Sequence, residues 1–174
     1  MYEPPNSPGR AAGDGTQLVR STLEVIRGWL LIVLVIGVVG TEAELLLLKH
    51  TDGAWQLAPV ALIGVSFLAL GWYAVAKSRA SIRALQVVML LFLTSGGAGT
   101  IQHFLGNVAD ERESNPSLSG VELYKSALMG STPSLAPGAM IQLGLVGLLF
   151  TYRHPRLGAV NRSENSSSSS REEA

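Results

Sequence analysis

Apolar residues gather into four long runs that are separated by polar stretches. The runs cover about 28–48, 57–76, 84–105 and 135–152. Each is about 18–22 residues long, and at 1.5 Å per residue a helix of that length crosses a hydrocarbon core of about 30 Å. Pro137 falls in the first turn of the fourth run, where its missing N–H is harmless. The pattern predicts an all-α protein, an integral membrane four-helix bundle.

The polar ends divide the chain into three parts. Residues 1–20 are rich in proline, glycine and small polar residues, and residues 157–174 are rich in serine. Neither end carries enough apolar surface to bury, so we expect both to be disordered. Residues 21–156 then form the four-helix transmembrane domain.

Composition supports a membrane protein and excludes several kinds of site. The chain is 47% hydrophobic and 15% charged, whereas soluble domains carry about 25% charged residues. The formal net charge is zero, so no overall field favours nucleic acid as a partner. There is no cysteine, which excludes disulfides, thiolate metal sites and iron–sulfur clusters.

Basic residues concentrate on one side of the predicted spans. Ten of the thirteen lie before span one, between spans two and three, or after span four. These ten are Arg10, Arg20, Arg27, Lys77, Arg79, Arg83, Arg153, Arg156, Arg162 and Arg171. The positive-inside rule therefore predicts a cell inner (cytoplasmic) membrane protein, with both termini in the cytoplasm.

The outer loop between spans three and four contains the segment SGVELYKSALMG, which predicts a short amphipathic helix. Ser119 and Glu122 match a capping box at its start. Val121, Tyr124 and Leu128 recur at helical spacing, so we expect them to form its apolar face. Such a helix either covers the loop as a lid and keeps it ordered, or it provides a docking surface for a partner.

Spans one and three each carry a polar residue that follows two glycines on the same helical face. The polar residues are Glu44 and His103. The glycines, four and seven residues earlier, are Gly37 and Gly40 in span one and Gly96 and Gly99 in span three. Because small residues mark close helix contacts in membranes, we expect both polar side chains to face the bundle and to lie near each other. Glu42 is expected to turn to the outer interface and pair with Lys49.

Three further polar residues are expected to join this outer polar cluster: Gln56, Gln142 and His50. Its simplest role is interhelical hydrogen bonding, worth roughly 0.6 kcal/mol per pair. A haem or divalent-metal redox site and a path for ions or protons stay open as alternatives, although no tight metal-ligand spacing is present. We therefore predict no metal, no cofactor and no catalytic residues.

The segments GTEAELLLLKH, GTIQHFLGN, LAPGAMIQLGLVGLL and TYRHP resemble a group of small uncharacterised bacterial membrane proteins with four predicted transmembrane helices. The likeness covers residues 40–155. It implies a bacterial origin and no catalytic residues. The expected function is a non-enzymatic structural or accessory membrane subunit. Its partners are the lipid bilayer and either another membrane protein or a second copy of the chain.

Overall fold

A computed structural model describes residues 8–49, 53–130, 132–133 and 135–157. Within these residues the protein is all-α. Its five α-helices are Pro8–Leu47 (α1), Ala54–Ala76 (α2), Arg79–Ser114 (α3), Gly120–Leu128 (α4) and Gly138–Thr151 (α5). A 3₁₀ turn, Pro155–Leu157, follows α5.

Three of these helices are long and apolar enough to cross a membrane. They are α1 over Gln17–Leu47, α2 and α3. The fourth predicted span is shorter than expected, because α5 has 14 residues and a length of about 21 Å. The segment before α5 forms turns instead, in which the Gly138 N–H donates to the Leu135 carbonyl at 2.9 Å. The coarse prediction of a helical protein with several candidate spans is confirmed.

Two helices extend beyond the apolar runs that predicted them. α1 begins at Pro8 and so includes part of the segment expected to be disordered. α3 continues to Ser114, well past Leu105, and supplies the first part of the predicted outer loop. Hydropathy falls at these points, but adding a residue to an existing helix is far easier than nucleating a new one. Apolar runs therefore mark the spans and underestimate the helices.

α1, α2, α3 and α5 alternate in direction and enclose one apolar core. α3 packs against both α2 and α5, and α5 lies between α1 and α3. The first residues of the bundle and the last therefore lie at the same end, where Arg27 of α1 contacts the end of α5. The centre of the core is fully buried and includes Leu34, Ile63, Leu85, Met89 and Phe92.

Glycines allow α5 to approach its neighbours closely. A Cβ on Gly144 would lie 2.8 Å from the Met89 carbonyl oxygen, and one on Gly147 would overlap the Met89 side chain. Of the glycines predicted to pack, Gly37 faces Leu143 so closely that a Cβ would overlap it. This contact lies on the α5 side of α1, so the close approach of α1 and α5 depends on a small residue in α1 at this point.

The remaining predicted packing glycines behave differently in the two spans. A Cβ on Gly96 would lie 2.8 Å from the Pro137 carbonyl oxygen, and one on Gly99 would lie 2.9 Å from the Pro137 Cβ. Gly40 has no neighbouring atom within 4 Å of such a Cβ. The close approach in span three is therefore to the turn before α5, and Gly40 makes no comparable contact.

α4 packs against the outer extension of α3 through a face that was not predicted. Leu123 is 4% exposed and Ala127 is fully buried, whereas Val121 is 79% exposed and Leu128 is 53% exposed. Beside this contact, the Tyr124 ring of α4 stacks on the Phe104 ring of α3. Of the predicted apolar face, Val121 and Leu128 therefore stay exposed, and the contact with α3 is made by Leu123 and Ala127.

Helix capping also differs from the prediction. The Ser119 side chain makes no capping hydrogen bond. A reciprocal capping box forms instead at the start of α3, where the Ser78 hydroxyl accepts the Ser81 N–H and the Ser81 hydroxyl accepts the Ser78 N–H, both at 3.1 Å. This box fixes the turn between α2 and α3.

Candidate functional site

Asn107 of α3 holds the outer loop in place. Its Nδ2 donates to the Ala127 carbonyl at 2.9 Å and to the Thr132 carbonyl at 2.6 Å. Its Oδ1 accepts the Thr132 N–H at 3.2 Å. The side chain is 1% exposed. One amide therefore joins α3, the end of α4 and the turn that leads to α5.

His103, one helical turn before Asn107, contacts the same turn. Its Nδ1 lies 3.1 Å from the Pro133 carbonyl oxygen. A carbonyl can only accept, so Nδ1 carries the proton of this bond. His103 and Asn107 together supply polar groups to a stretch of non-helical backbone, and we refer to this pair as the outer clamp.

The structure reverses the prediction for the two glutamates. Glu44 is exposed, whereas Glu42 is half-buried, and its Oε2 is enclosed without a hydrogen-bond partner among the described residues. Val38 of α1 is fully buried in the core, and Glu42 lies one turn later on the same face. The glycine pattern gave the wrong phase because a Cβ on Gly40 would meet no atom within 4 Å, so Gly40 does not mark a packed face.

The other predicted members of the outer polar cluster occupy different environments. Gln142 lies on an exposed part of α5, and Gln56 is half-buried in the first turn of α2. His50 lies outside the described residues. In the parts of the chain that the structure describes, no group of three or more His, Asp or Glu side chains is arranged to hold a metal ion.

A second polar site, not predicted from the sequence, lies at the opposite end of the bundle. It is a cavity of about 360 Å³, which we call the inner cavity. α1, the end of α2 and the segment around the end of α5 form its walls. Its polar lining residues are Glu24, Arg27, Tyr73, His154 and Arg156, and its apolar lining includes Leu31 and Phe150.

The two arginines of the inner cavity are fixed by helix ends. The Arg27 Nη2 donates to the Arg153 carbonyl at 3.1 Å and to the Tyr152 carbonyl at 3.4 Å. The Arg156 Nη1 donates to the Lys77 carbonyl at the end of α2. Such carbonyls lack partners in their own helix and carry partial negative charge, so they hold the cations in place.

The helix ends take a conformation that makes these contacts possible. Lys77 and Arg153 have φ angles of 44° and 45°, in the left-handed region. The chain therefore turns sharply after α2 and after α5. This turn leaves the last carbonyls of both helices open to arginines from elsewhere in the bundle.

His154 and Tyr73 form a hydrogen-bonded pair at the wall of the inner cavity. His154 is 8% exposed. Its Nδ1 accepts the Arg156 backbone N–H at 3.4 Å, and its Nε2 lies 3.4 Å from the Tyr73 hydroxyl. Since Nδ1 accepts, the ring is neutral and its proton is on Nε2, which donates to the Tyr73 oxygen. Burial, followed by the charges of Arg27 and Arg156, lowers the pKa of His154.

Phe150 orients this pair. Its ring meets Tyr73 edge-to-face with 5.3 Å between centroids, and it lies 5.8 Å from the His154 ring. Aromatic contacts of this kind favour a single ring orientation. Phe150 therefore holds the ring of Tyr73, which lines the cavity.

The polar side chains at the two ends of the bundle thus have different surroundings. At the outer clamp the polar side chains of Asn107 and His103 are engaged with loop carbonyls. At the inner cavity, two arginines and a tyrosine hydroxyl line an open space beside an apolar wall.

No protein-family model matches the chain, and neither does any curated protein or solved structure.

Proposed function

We propose that the chain is a multi-pass protein of a bacterial inner membrane, in which α1, α2, α3 and α5 cross the bilayer, and that it acts as a non-catalytic accessory subunit. The observation that supports this is the exposure of the long helices. The most apolar windows of α1, α2 and α3 are only 11%, 22% and 28% buried. Monomeric soluble proteins rarely expose contiguous apolar surface on this scale, whereas lipid covers it without cost.

α5 alone is too short to cross the hydrocarbon core. The turn before it can supply the missing length. Polar backbone groups at membrane depth must be hydrogen-bonded within the protein. Before α5, the carbonyls of Thr132 and Pro133 accept hydrogen bonds from Asn107 and His103. The turn can therefore enter the membrane with these groups satisfied, and the full crossing is longer than the helix alone.

Charge and aromatic residues support an orientation. Arg27, Arg156 and the basic helix ends lie at one end of the bundle. Trp29, Trp72 and Tyr152 are exposed at that same end. Basic residues mark the cytoplasmic side, and exposed tryptophan and tyrosine mark the headgroup level. Both ends of the chain then lie in the cytoplasm.

An accessory role follows from the outer part of α3 together with α4. This unit projects from the bundle and is held by buried Val108, Leu123 and Ala127. It keeps Val121 and Met129 exposed, at 79% and 84%. An ordered projection with exposed apolar side chains is typical of a surface that contacts another protein or the membrane interface.

Reporter fusions test the crossing number. Fusions at Ala174 and at Ser117 should report opposite sides of the membrane, with Ala174 in the cytoplasm. Extraction of membranes with alkaline carbonate should leave the protein in the pellet. Both reporters on one side would show that α5 does not cross, and release by carbonate would show that the protein is not integral.

A further inference from the structure

We propose that the inner cavity binds the phosphate group of an anionic phospholipid from the cytoplasmic leaflet, with a polyol headgroup such as glycerol. The proposal rests on the membrane location proposed above. It goes beyond it by assigning a specific lipid site to Arg27, Tyr73 and Arg156.

The arginines supply directed positive charge. Each guanidinium carries five N–H donors, and the described contacts use one nitrogen of Arg27 and one of Arg156. Both arginines line the cavity. Planar guanidinium groups match phosphate oxygens in bidentate geometry, and basic pockets between helices on the cytoplasmic side bind anionic headgroups.

Tyr73 supplies a third donor. The His154 Nε2–H donates to its oxygen, so the phenol proton points away from His154 and is not used in this contact, and Tyr73 lines the cavity. A hydroxyl held in this way donates to an oxyanion without first breaking a contact. A cation in place of the phosphate would meet two guanidinium charges and a donor, so this side of the cavity disfavours it.

The location of the cavity selects a lipid rather than a soluble phosphate. Trp29 lies two residues from Arg27, Trp72 is adjacent to Tyr73, and both indoles are exposed. Such residues lie at the headgroup level. Leu31 and Phe150 give the same cavity an apolar wall, against which the start of an acyl chain can lie.

Two further residues favour a headgroup with hydroxyls. A Cβ on Gly28 would have no atom within 4 Å, so the rim of the cavity is open at this point. Glu24 lines the cavity as an acceptor beside the donors. A glycerol headgroup can donate its hydroxyls to Glu24 while its phosphate receives hydrogen bonds from the arginines and Tyr73, whereas inorganic phosphate presents no such extension.

Native mass spectrometry of the full chain in detergent tests the site. The protein is titrated with phosphatidylglycerol and, separately, with phosphatidylcholine. We expect one phosphatidylglycerol to bind at least about tenfold more tightly than phosphatidylcholine. Arg156→Gln should weaken phosphatidylglycerol binding about tenfold, because a charge-assisted hydrogen bond is lost. Tyr73→Phe keeps the ring packing but removes the hydroxyl, and it should weaken phosphatidylglycerol binding several-fold.

Arg83→Gln is the matched control, because Arg83 is exposed near the start of α3 and does not line the cavity. It should leave the affinity unchanged. An equal loss in this variant would show a diffuse charge effect and would overturn the proposal. If Arg156→Gln does not fold, Tyr73→Phe decides, and an unchanged affinity in that variant also overturns it.

A competition with inorganic phosphate distinguishes the two phosphate sources. If phosphate alone saturates the site and phosphatidylglycerol adds no affinity, the ligand is soluble and the lipid proposal is wrong. Equal affinity for phosphatidylglycerol and phosphatidylcholine would also contradict the lipid proposal. The reporter fusions and the carbonate extraction test the membrane location, and the lipid titration tests the cavity. An integral protein that binds no phosphatidylglycerol would therefore contradict the lipid site alone.

Discussion

Asn107 and Gly130 fit against each other at the outer end of the protein. A Cβ on Gly130 would lie 2.6 Å from the Asn107 Cγ. The glycine therefore leaves space for the amide that bonds to the Ala127 and Thr132 carbonyls. The order of the outer loop depends on a buried polar side chain and on the absence of a side chain beside it.

Replacing Asn107 by Ala should destabilise the outer loop. The change leaves the Thr132 carbonyl and N–H without their partner Asn107, whereas the Ala127 carbonyl keeps the Gly130 N–H. The cost is about 1–3 kcal/mol for each group that is left buried and unbonded. We expect faster protease cleavage in residues 115–137 and a lower melting temperature. Gly130→Ala should act in the same direction through its clash with Asn107.

Gly106→Ala is the matched control for these two variants, since a Cβ there meets no atom within 4 Å. It should leave the loop as resistant to protease as the parent protein. Cleavage that is equally fast in all three variants would mean that the outer clamp does not order the loop.

The face of α4 can be tested by a pair of aspartate substitutions. Leu123→Asp places a charge in the buried contact with Val108, so it should release α4 from α3 and raise its rate of amide hydrogen exchange. Val121→Asp changes an exposed residue and should leave the exchange of α4 unchanged. The opposite result, with protection lost in Val121→Asp alone, would restore the face predicted from the spacing.

Close approach of α5 to α3 should make Gly144 intolerant of a methyl group. Gly144→Ala brings a Cβ to 2.8 Å from the Met89 carbonyl oxygen, and backbone cannot move aside as a flexible side chain can. Overpacking of this kind costs roughly 1–3 kcal/mol. We expect a lower melting temperature in detergent.

Gly40→Ala in α1 provides the comparison for Gly144→Ala, because its Cβ would enter open space. It should be neutral or slightly stabilising, since alanine favours the helix by about 1 kcal/mol relative to glycine. A larger loss at Gly40 than at Gly144 would contradict the packing described for α5.

Sequence patterns predicted the helices better than the sites because the two depend on different information. Periodicity and apolar runs are local, and they located the three long helices and a shorter fourth. The pairing of Tyr73 with His154 joins residues 81 positions apart, and no local pattern specifies it. Asn107 was missed for the same reason, since its partners lie 20 and 25 residues away.

The two glutamates show where local reasoning failed. Gly37 and Gly40 suggested a single packed face, and Glu44 was placed on it. Gly37 does face Leu143, but a Cβ on Gly40 would enter open space, and the buried face turns toward Val38 and Glu42. A glycine gives the phase of a helix only when its partner helix is known, and the partner here is α5.

His154 should make the stability of the protein depend on pH. Burial and the charges of Arg27 and Arg156 lower its pKa in the folded protein. The unfolded chain, with an ordinary histidine pKa of about 6.5, therefore binds more protons as the pH falls through that range. The contribution of His154 to stability is present above about pH 6.5 and is lost toward its lower folded pKa. Protonation also removes the Nδ1 acceptor of the Arg156 N–H.

Melting temperatures of the parent and His154→Gln, measured from pH 8 to pH 5, isolate this effect, because all other ionisable groups are common to both proteins. The charged and titratable groups that line the cavity with His154 are Glu24, Arg27, Tyr73 and Arg156. Glu24 alone can favour the protonated ring, and it is exposed, so solvent screens its effect. The advantage of the parent protein over the variant should therefore shrink as the pH falls. An advantage that stays constant, or that grows toward pH 5, would show that His154 gains its proton in the folded state as readily as in the unfolded chain.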